Sequence, residues 1–440
     1  MQRSRNGRNG RTGPARPHDG TAPTRARQRA YAIAALPGGA DLAELRELLQ
    51  TAGVAVVGQA VQHRDRPHPN TYLGPGKLLE VREALKDADA NLVACDDELS
   101  PRQERNLETE LGVPVIDRTA IILDIFAGHA NSAEGKVQVE LAQLEYNLAR
   151  MRGLWTHLER LGASASQPGI GTRGPGETQI ETDRRLARDR ITALRRRLAG
   201  VKGARATMRA ERERAHLPKL AMAGYTNAGK STLLNHLTGA TVGVRDRLFH
   251  TLDPSTRVWR LGGRDHLLTD TVGFIRKLPH QLVDAFSATL EETVDADLIL
   301  HVIDASEPEE EIAEMLRAVD EVLEGIGAGD RPRLLVLNKA DALDAERREE
   351  LHFAHPDGVL VSALTGEGIE ALGEAVEGEF RRTLRSVELL VPYAEGARLA
   401  ELHDLAGDLE RTDTPDGVRV RVRLPAQVAR RFERFSALHA

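Results

Sequence analysis

Gly224-Tyr225-Thr226-Asn227-Ala228-Gly229-Lys230-Ser231 decides how this chain reads. The string has the form G-x-x-x-x-G-K-S. It follows the apolar run Leu220-Ala221-Met222-Ala223 and precedes a helix-like run through Leu233, Leu234 and Leu237, the strand-loop-helix setting that a phosphate-binding loop requires. Gly224 and Gly229 let the backbone bend, so that N–H groups from Gly224 through Tyr225, Thr226, Asn227, Ala228 and on to Thr232 surround phosphate oxygens at a helix N-terminus. Lys230 is then expected to reach the β- and γ-phosphates as a catalytic cation, and the Ser231 hydroxyl to ligate Mg²⁺.

Two further strand ends carry matching chemistry. Asp270-Thr271-Val272-Gly273 closes the run His266-Leu267-Leu268-Thr269. A carboxylate there can hold Mg²⁺ through water, and the Gly273 N–H can meet the γ-phosphate; an ordinary strand-to-turn Asp is the plainer reading. Asn338-Lys339-Ala340-Asp341 follows Leu334-Leu335-Val336-Leu337, 107 residues beyond Ser231, and points into the crevice where open α/β sheets bind ligands. The Asp341 carboxylate can accept from guanine N1–H and N2–H₂, which adenine cannot supply, and a mismatch there gives discrimination of about 10⁴-fold. Ser362-Ala363-Leu364, after Val359-Leu360-Val361, completes the set, with the Ala363 N–H as a partner for guanine O6. GTP or GDP is the expected ligand.

In order and spacing these motifs resemble the G domain of translation-factor-like GTPases. Phe249-His250-Thr251-Leu252-Asp253-Pro254 is similar to the switch I of bacterial GTPases, which assigns Thr251 to Mg²⁺ and the γ-phosphate; Thr256 is the second choice and a loop-capping Thr the plain alternative. Phe249 joins the nucleotide set on the same ground. Where Ras-like proteins carry a water-orienting glutamine, this chain has Phe274. A phenyl ring makes no such hydrogen bond, so backbone, an ion or a partner must place the water. Asn227 is similar to the residue that helps hold a catalytic K⁺ in GTPases with an apolar residue at that position, and it reads equally well as a loop amide bonding its own backbone. Unassisted turnover is expected on the order of 10⁻⁴ to 10⁻² s⁻¹, rising on a macromolecular partner.

At 440 residues the chain exceeds one ordinary core. With 41% hydrophobic and 29% charged residues it reads as soluble and globular, and with 3% aromatic it lacks evident stacking platforms for single-stranded nucleic acid. No apolar run approaches a membrane span, and the N-terminus has no apolar signal core, so a cytoplasmic protein, monomeric when free, is expected. Cys95 in Leu92-Val93-Ala94-Cys95 reads as a buried inert thiol, and the scattered histidines suggest no structural metal. Net charge is −6, yet residues 1–29 hold eight Arg against one acid, and residues 184–214 hold twelve Arg or Lys against three. A chain acidic overall can still present basic surfaces to phosphate.

The fold expected is α/β in five parts. Residues 1–29 form a disordered basic tail. From 30 to 130, the runs 31–34, 54–57, 92–95 and 113–116 alternate with helical ones, which implies a small parallel sheet. Within it Ser100-Pro101-Arg102-Gln103 has capping-box form, and Gly74-Pro75-Gly76-Lys77 reads as a turn with a helix cap ahead of a nucleotide loop. Residues 131–215 form an antiparallel helical hairpin. Val137, Leu141, Leu144, Leu148, Met151, Trp155 and Leu158 make one seam; Ile180, Ala187, Ile191, Leu194, Leu198 and Val201 make the other. The second helix carries Arg184, Arg185, Arg188, Arg195, Arg196 and Arg197 outward, which suits RNA phosphate better than mere solvation. The Gly/Pro-rich loop 162–176 joins the helices. The P-loop GTPase domain, a mostly parallel sheet flanked by helices, spans 216–383. A small α/β domain, 384–440, ends the chain, with Val418, Val420 and Val422 alternating with Arg419, Arg421 and Arg423.

A sharper resemblance lies in these stretches. Asp117-Arg118-Thr119, Leu123-Asp124-Ile125-Phe126-Ala127, Val139-Glu140-Leu141-Ala142-Gln143-Leu144, Gly171-Thr172-Arg173-Gly174-Pro175-Gly176-Glu177 and Glu181-Thr182-Asp183-Arg184-Arg185 resemble the HflX family of ribosome-associated GTPases, from about residue 30 to 383. The resemblance implies docking on the large ribosomal subunit and its rRNA near the peptidyl-transferase centre, with 164–176 as the probe and the 184–214 helix alongside. It also implies GTP-dependent splitting of stalled or idle ribosomes in stress recovery. Some members are described as binding ATP through the N-terminal domain, for which no second P-loop appears here. His129 stands where the pattern suggests Arg, an rRNA contact made weaker or pH-dependent. The alternatives are a ribosome-assembly or tRNA-modification GTPase, set back by the lack of a KH-type G-x-x-G loop or terminal cysteine motif, and a GTP-switched hibernation or RNA-binding factor.

Overall fold

Each apolar run read as a strand in the first hundred residues forms one. In the computed structural model, which describes residues 28–36, 42–151, 175–214, 217–240, 248–249, 254–277, 282, 287–406 and 409–436, the order is β1 (Arg29–Leu36), α1 (Ala43–Thr51), β2 (Ala55–His63), α2 (Pro75–Asp87), β3 (Leu92–Cys95), α3 (Pro101–Leu111), β4 (Val115–Asp117) and α4 (Arg118–His129). The four strands are parallel, in the order β2-β1-β3-β4. Because side chains alternate across a strand, Ala30, Ala32 and Ala34 pack on Leu45, Leu48, Ile122 and Phe126, while Tyr31 and Ile33 pack on Leu78, Val81 and Leu107. Helices therefore cover both faces. The capping box forms: Ser100 Oγ accepts from the Gln103 N–H, Gln103 Oε1 from the Ser100 N–H, and Pro101 opens α3. Gly74 caps α2 with Pro75 in its first turn, as the turn reading expects. Cys95 is fully buried, and burial pushes its thiol well up, away from the reactive thiolate.

Asp117 ties this sheet to the helical arm. Its carboxylate, wholly buried, accepts from the Leu99 and Ala120 N–H groups, from the Tyr146 hydroxyl at 2.7 Å and from Arg150 at 2.7 Å. Tyr146 and Arg150 lie on α5 (Ala133–Arg150), which pairs with the 40-residue α6 (Pro175–Arg214). Val137, Leu141, Ile191 and Leu194 form the buried seam, flanked by Leu144, Leu148 and Leu198. With 137, 141, 144 and 148 at alternating d and a positions, and 187, 191, 194 and 198 likewise, Glu140 and Arg190 are both g and Glu145 and Arg195 both e. Their ion pairs, at 2.7 and 2.8 Å, join g to g and e to e, as antiparallel helices do. The seam positions Trp155 and Leu158, the loop through Gly174 and the tail through Arg27 lie outside the described residues.

The next unit comprises β5 (Lys219–Gly224), α7 (Lys230–Thr238), β6 (Ser255–Leu261), β7 (Arg264–Asp270), α8 (Ser287–Val294), β8 (Leu298–Asp304), α9 (Glu309–Gly325), β9 (Arg333–Asn338), α10 (Ala345–Ala354), β10 (Val359–Leu360) and α11 (Ile369–Thr383). The sheet order is β10-β9-β8-β5-β7-β6, parallel except for the β6–β7 hairpin. β5 has β8 on one side and β7 on the other, so the strand order reverses at its carboxyl end and a crevice opens there. The last unit is an antiparallel sheet, β11-β13-β12, from β11 (Leu384–Val391), β12 (Glu410–Thr414) and β13 (Gly417–Pro425), with α12 (Gly396–Ala406) and α13 (Ala426–Arg431) on one face. Among the described residues no helix is long and apolar enough to cross a membrane.

Candidate active site

The crevice gathers the sequence-predicted residues from four strand ends. Gly229 adopts φ +87, and a Cβ there would sit 2.2 Å from Asn338 Nδ2. Glycine is thus required both by the left-handed turn into α7 and by the approach of the base-side loop. Asn338, 2% exposed, donates from Nδ2 to Ala228 O at 2.8 Å and accepts the Ala363 N–H on Oδ1 at 3.0 Å. One side chain therefore ties the phosphate loop to Ser362-Ala363-Leu364. The Ser362 hydroxyl donates to Asp341 Oδ1 and accepts the Thr365 N–H, which fixes the carboxylate facing the crevice. Lys339, at φ +67, is paired with Asp304, and Leu364 stands exposed at the rim.

On the phosphate side, Lys230 Nζ is buried and donates to Gly224 O at 3.0 Å and Tyr225 O at 2.7 Å. Burial lowers its pKa to about 8, with Asp270 pulling the other way. Ser231 Oγ donates to Asp270 Oδ2 at 2.6 Å, and Asp270 is fully buried. These are oxygen donors side by side at a helix start, of the kind Mg²⁺ selects. Gly273 is pinned as well: an added Cβ would lie 2.8 Å from Thr226 Cγ2, 2.9 Å from Thr226 Cα and 3.1 Å from Lys230 Nζ. The buried Thr226 hydroxyl finds no partner among the described residues. A buried donor left open in a phosphate loop, with glycine alone permitted opposite it, fits a phosphate ligand. Thr232, next along α7, is half-buried, and Thr256 Oγ1 bonds Thr269 Oγ1 at 2.9 Å inside the β6–β7 hairpin. Thr251 lies outside the described residues.

Three side chains beside the crevice point away from it. Phe274 does not face the phosphates: it is 1% exposed, packed with Ala221, Leu290, Val319 and Leu323, and its backbone pairs with Gly224 and Thr226. Its ring is core, so the water-orienting position is simply vacated. The side chains of Phe249 and Tyr225 turn toward the N-terminal sheet, which leaves the Tyr225 backbone N–H in the phosphate loop. The Phe249 ring meets Phe126 edge-on at 4.6 Å, and the Phe249 carbonyl accepts from His129 Nδ1 at 2.8 Å, an interdomain bond made by the residue that stands where the family pattern suggests Arg. The Tyr225 hydroxyl donates to Glu44 and accepts the Arg276 N–H at 2.9 Å; burial and then the Glu44 charge push this phenol far up. Asn227 has φ +62, a turn position that an Asn side chain tolerates.

The interdomain seam escaped the sequence reading. Glu44 receives Arg118 at 2.8 Å and Arg276 at 2.9 Å; Asp96 receives Arg118 at 2.9 Å and Lys277 at 3.0 Å; Lys277 also pairs with Asp97. Leu248, Phe249, Val272, Ile275 and Leu282 share one apolar core with Ile122, Ile125 and Phe126. Residues just beyond Gly273 and just before Thr251 are therefore held by the N-terminal domain. Its one legible signal was charge: an Asp-Asp pair after β3 and an Arg-Lys pair after Gly273.

Three family descriptions match successive segments: "GTP-binding GTPase N-terminal" over residues 39–127, "GTP-binding GTPase Middle Region" over 129–212 and "50S ribosome-binding GTPase" over 219–339. The chain is 46% identical over 390 residues to the GTPase HflX of Lacrimispora saccharolytica, covering 88% of this chain and 90% of that protein. It is 45% identical over 394 residues to the GTPase HflX of Escherichia coli, again 88% and 90%. Among solved structures, a GTP-binding protein from the archaeon Sulfolobus solfataricus in complex with GDP is similar at 27% identity and a TM-score of 0.40, covering 80% of this chain and 98% of the other.

Proposed function

The chain belongs to the HflX family of GTPases and is a GTP hydrolase; from that premise we propose that it binds the large ribosomal subunit and splits stalled or idle ribosomes into subunits in a GTP-dependent cycle. The observation that carries this reading is the seam. The segments flanking Gly273 and Thr251, which the third phosphate organises in GTPases, rest on the domain that bears the helical arm. Nucleotide state and arm position are thereby coupled. Arg185, Arg188, Arg196 and Arg197 stand exposed on α6, where rRNA phosphates can meet them, and the Gly/Pro-rich residues 164–176, between the two helices in sequence, are the proposed probe.

In the hydrolysis step Lys230 would hold the β- and γ-phosphates and the Gly273 N–H the γ-phosphate, both aimed at oxygens that gain charge. Ser231 and Thr251 would hold Mg²⁺ directly and Asp270 through water, the ion supplying charge neutralisation between the phosphates. Asn338, Asp341 and the Ser362-Ala363-Leu364 loop would select guanine. Because the Ala363 N–H is engaged by Asn338 Oδ1, its use toward O6 calls for a shared bond or a small shift of the loop. With Phe274 in the core, no side chain at that position orients the water, which leaves backbone groups, K⁺ beside Asn227 or a ribosomal group for that task.

Sedimentation of whole ribosomes mixed with the protein and a non-hydrolysable GTP analogue is the test. Free subunits should accumulate; ribosomes that stay whole or become more stable would instead mark a hibernation factor.

A further inference from the structure

Between the β6–β7 hairpin, α11 and the C-terminal sheet lies a cleft of about 510 Å³, whose lining includes none of the nucleotide-crevice residues. Arg264, Arg381, Arg421 and Arg423 face it, against Glu377 and Glu410, an excess of two positive charges in the wall. His266 adds none, since burial lowers its pKa. Arg421 and Arg423 belong to a longer row: Val418, Val420 and Val422 are buried under α12 and α13 with Leu402 and Phe432, so alternation sends Arg419, Arg421 and Arg423 to the opposite, open face of β13. Successive Cα atoms of the row stand roughly 7 Å apart. β13 is the middle strand, so the row runs down the centre of the sheet and into the cleft.

Carboxylates partner this row only loosely. Glu388 lies 3.5 Å from Arg419 and 3.9 Å from Arg421, and Glu410 lies 3.7 Å from Arg421, all on well-exposed side chains. Exposed pairs of this kind are worth little and release readily. Arginines at regular backbone spacing along one strand face suit a linear polyanion, and the planar guanidinium fork suits phosphate oxygens two at a time. The aromatic groups of the wall, His266 and Phe380, lie against each other at 5.5 Å, and His266 is buried, so stacking on bases is not what the cleft provides.

We propose that this groove between the GTPase and C-terminal domains binds an RNA phosphate backbone, without reading sequence, as a second anchor separate from the helical arm. The identity of that RNA as ribosomal rests on the function proposed above.

Thr412 is exposed on β12 and directly opposite Arg419, while Cys95 is buried, so a Thr412→Cys chain takes a thiol-tethered photo-crosslinker at that one position. The full-length labelled protein is bound to large subunits with a non-hydrolysable GTP analogue and irradiated. Label should transfer to rRNA, and Arg421→Glu with Arg423→Glu should cut that transfer at least tenfold while guanine-nucleotide affinity and melting temperature stay unchanged. The milder Arg421→Ala, Arg423→Ala chain should lower the salt slope of binding to a short RNA duplex by roughly two, and lysine at both positions should restore it. Label transferred to ribosomal protein, or an RNA salt slope that the alanines leave alone, overturns the proposal. A chain that binds the RNA duplex through this groove yet fails to sediment with subunits would instead sink the ribosomal reading and leave the groove standing.

Discussion

The two halves of the nucleotide crevice are built differently. On the base side every tie is made within one domain: Gly229 against Asn338, Asn338 to Ala228 and Ala363, Ser362 to Asp341. On the phosphate side, the flanks of the reacting region reach across to another domain, Phe249 to Phe126 and His129, Tyr225 and Arg276 to Glu44, Lys277 to Asp96 and Asp97. A pocket tied within itself can recognise guanine at all times. One whose third-phosphate side leans on a neighbour can report, through that neighbour, which nucleotide it holds.

The comparison predicts that damage to the base side stays local. Asp341→Asn should shift preference from GTP toward xanthosine triphosphate by on the order of 10³-fold or more, measured by competition binding, with the interdomain contacts unaltered; retained GTP preference would show the base site to be elsewhere. Gly273→Ala should reduce single-turnover hydrolysis roughly 10²- to 10³-fold, a loss of the size seen when one oriented donor is removed, because the new methyl strikes Thr226 and crowds Lys230 Nζ. GDP affinity should fall far less, and equal losses in both would mean that the glycine serves only the fold.

Damage to the seam should do the reverse. Glu44→Ala leaves Arg118, 2% exposed, with Asp96 as its one carboxylate, leaves Arg276 with Glu314 alone, and takes the acceptor from the Tyr225 hydroxyl. A loss of about 2 to 3 kcal/mol in denaturant unfolding is expected from the charge-assisted hydrogen bonds removed from Arg118 and Tyr225, together with an altered GTPase rate and unaltered guanine preference. The smallest effect concerns His301, buried on β8 behind the phosphate loop, its pKa lowered by burial to about 4. Between that value and the ordinary 6.5 the unfolded chain binds a proton that the folded one excludes, so stability falls on acidification, by about 2 kcal/mol from pH 7 to pH 5. His301→Leu should remove that slope from the urea curves; an unchanged slope would place its origin elsewhere.

The same contrast explains what could be read in advance. Gly229, Lys230, Ser231, Asn338 and Asp341 announce themselves because their chemistry needs fixed residue types at short spacing, and the hairpin seam because its period is written in Leu, Ile and Val. Ser100 and Gln103 were legible for the same local reason. Tyr225 with Glu44, and Phe249 with His129, are pairs more than a hundred residues apart. Nothing in either segment names its partner, so these interdomain contacts could not be foreseen. Phe274 read as unable to orient the attacking water, and its place in the core agrees with that. The Asp117-Arg118 dipeptide could be quoted as a motif, but its work as a buried hub emerged only with Tyr146, Arg150 and Glu44 in place.

Hydrogen exchange of the whole protein with GDP and with a non-hydrolysable GTP analogue weighs the seam most directly. The third phosphate should change protection in α1 and α4 of the N-terminal domain, around Glu44, Phe126 and His129, and Glu44→Ala should abolish that change. If protection changes only between residues 224 and 277, the two domains do not exchange nucleotide information through these contacts, and the account is contradicted.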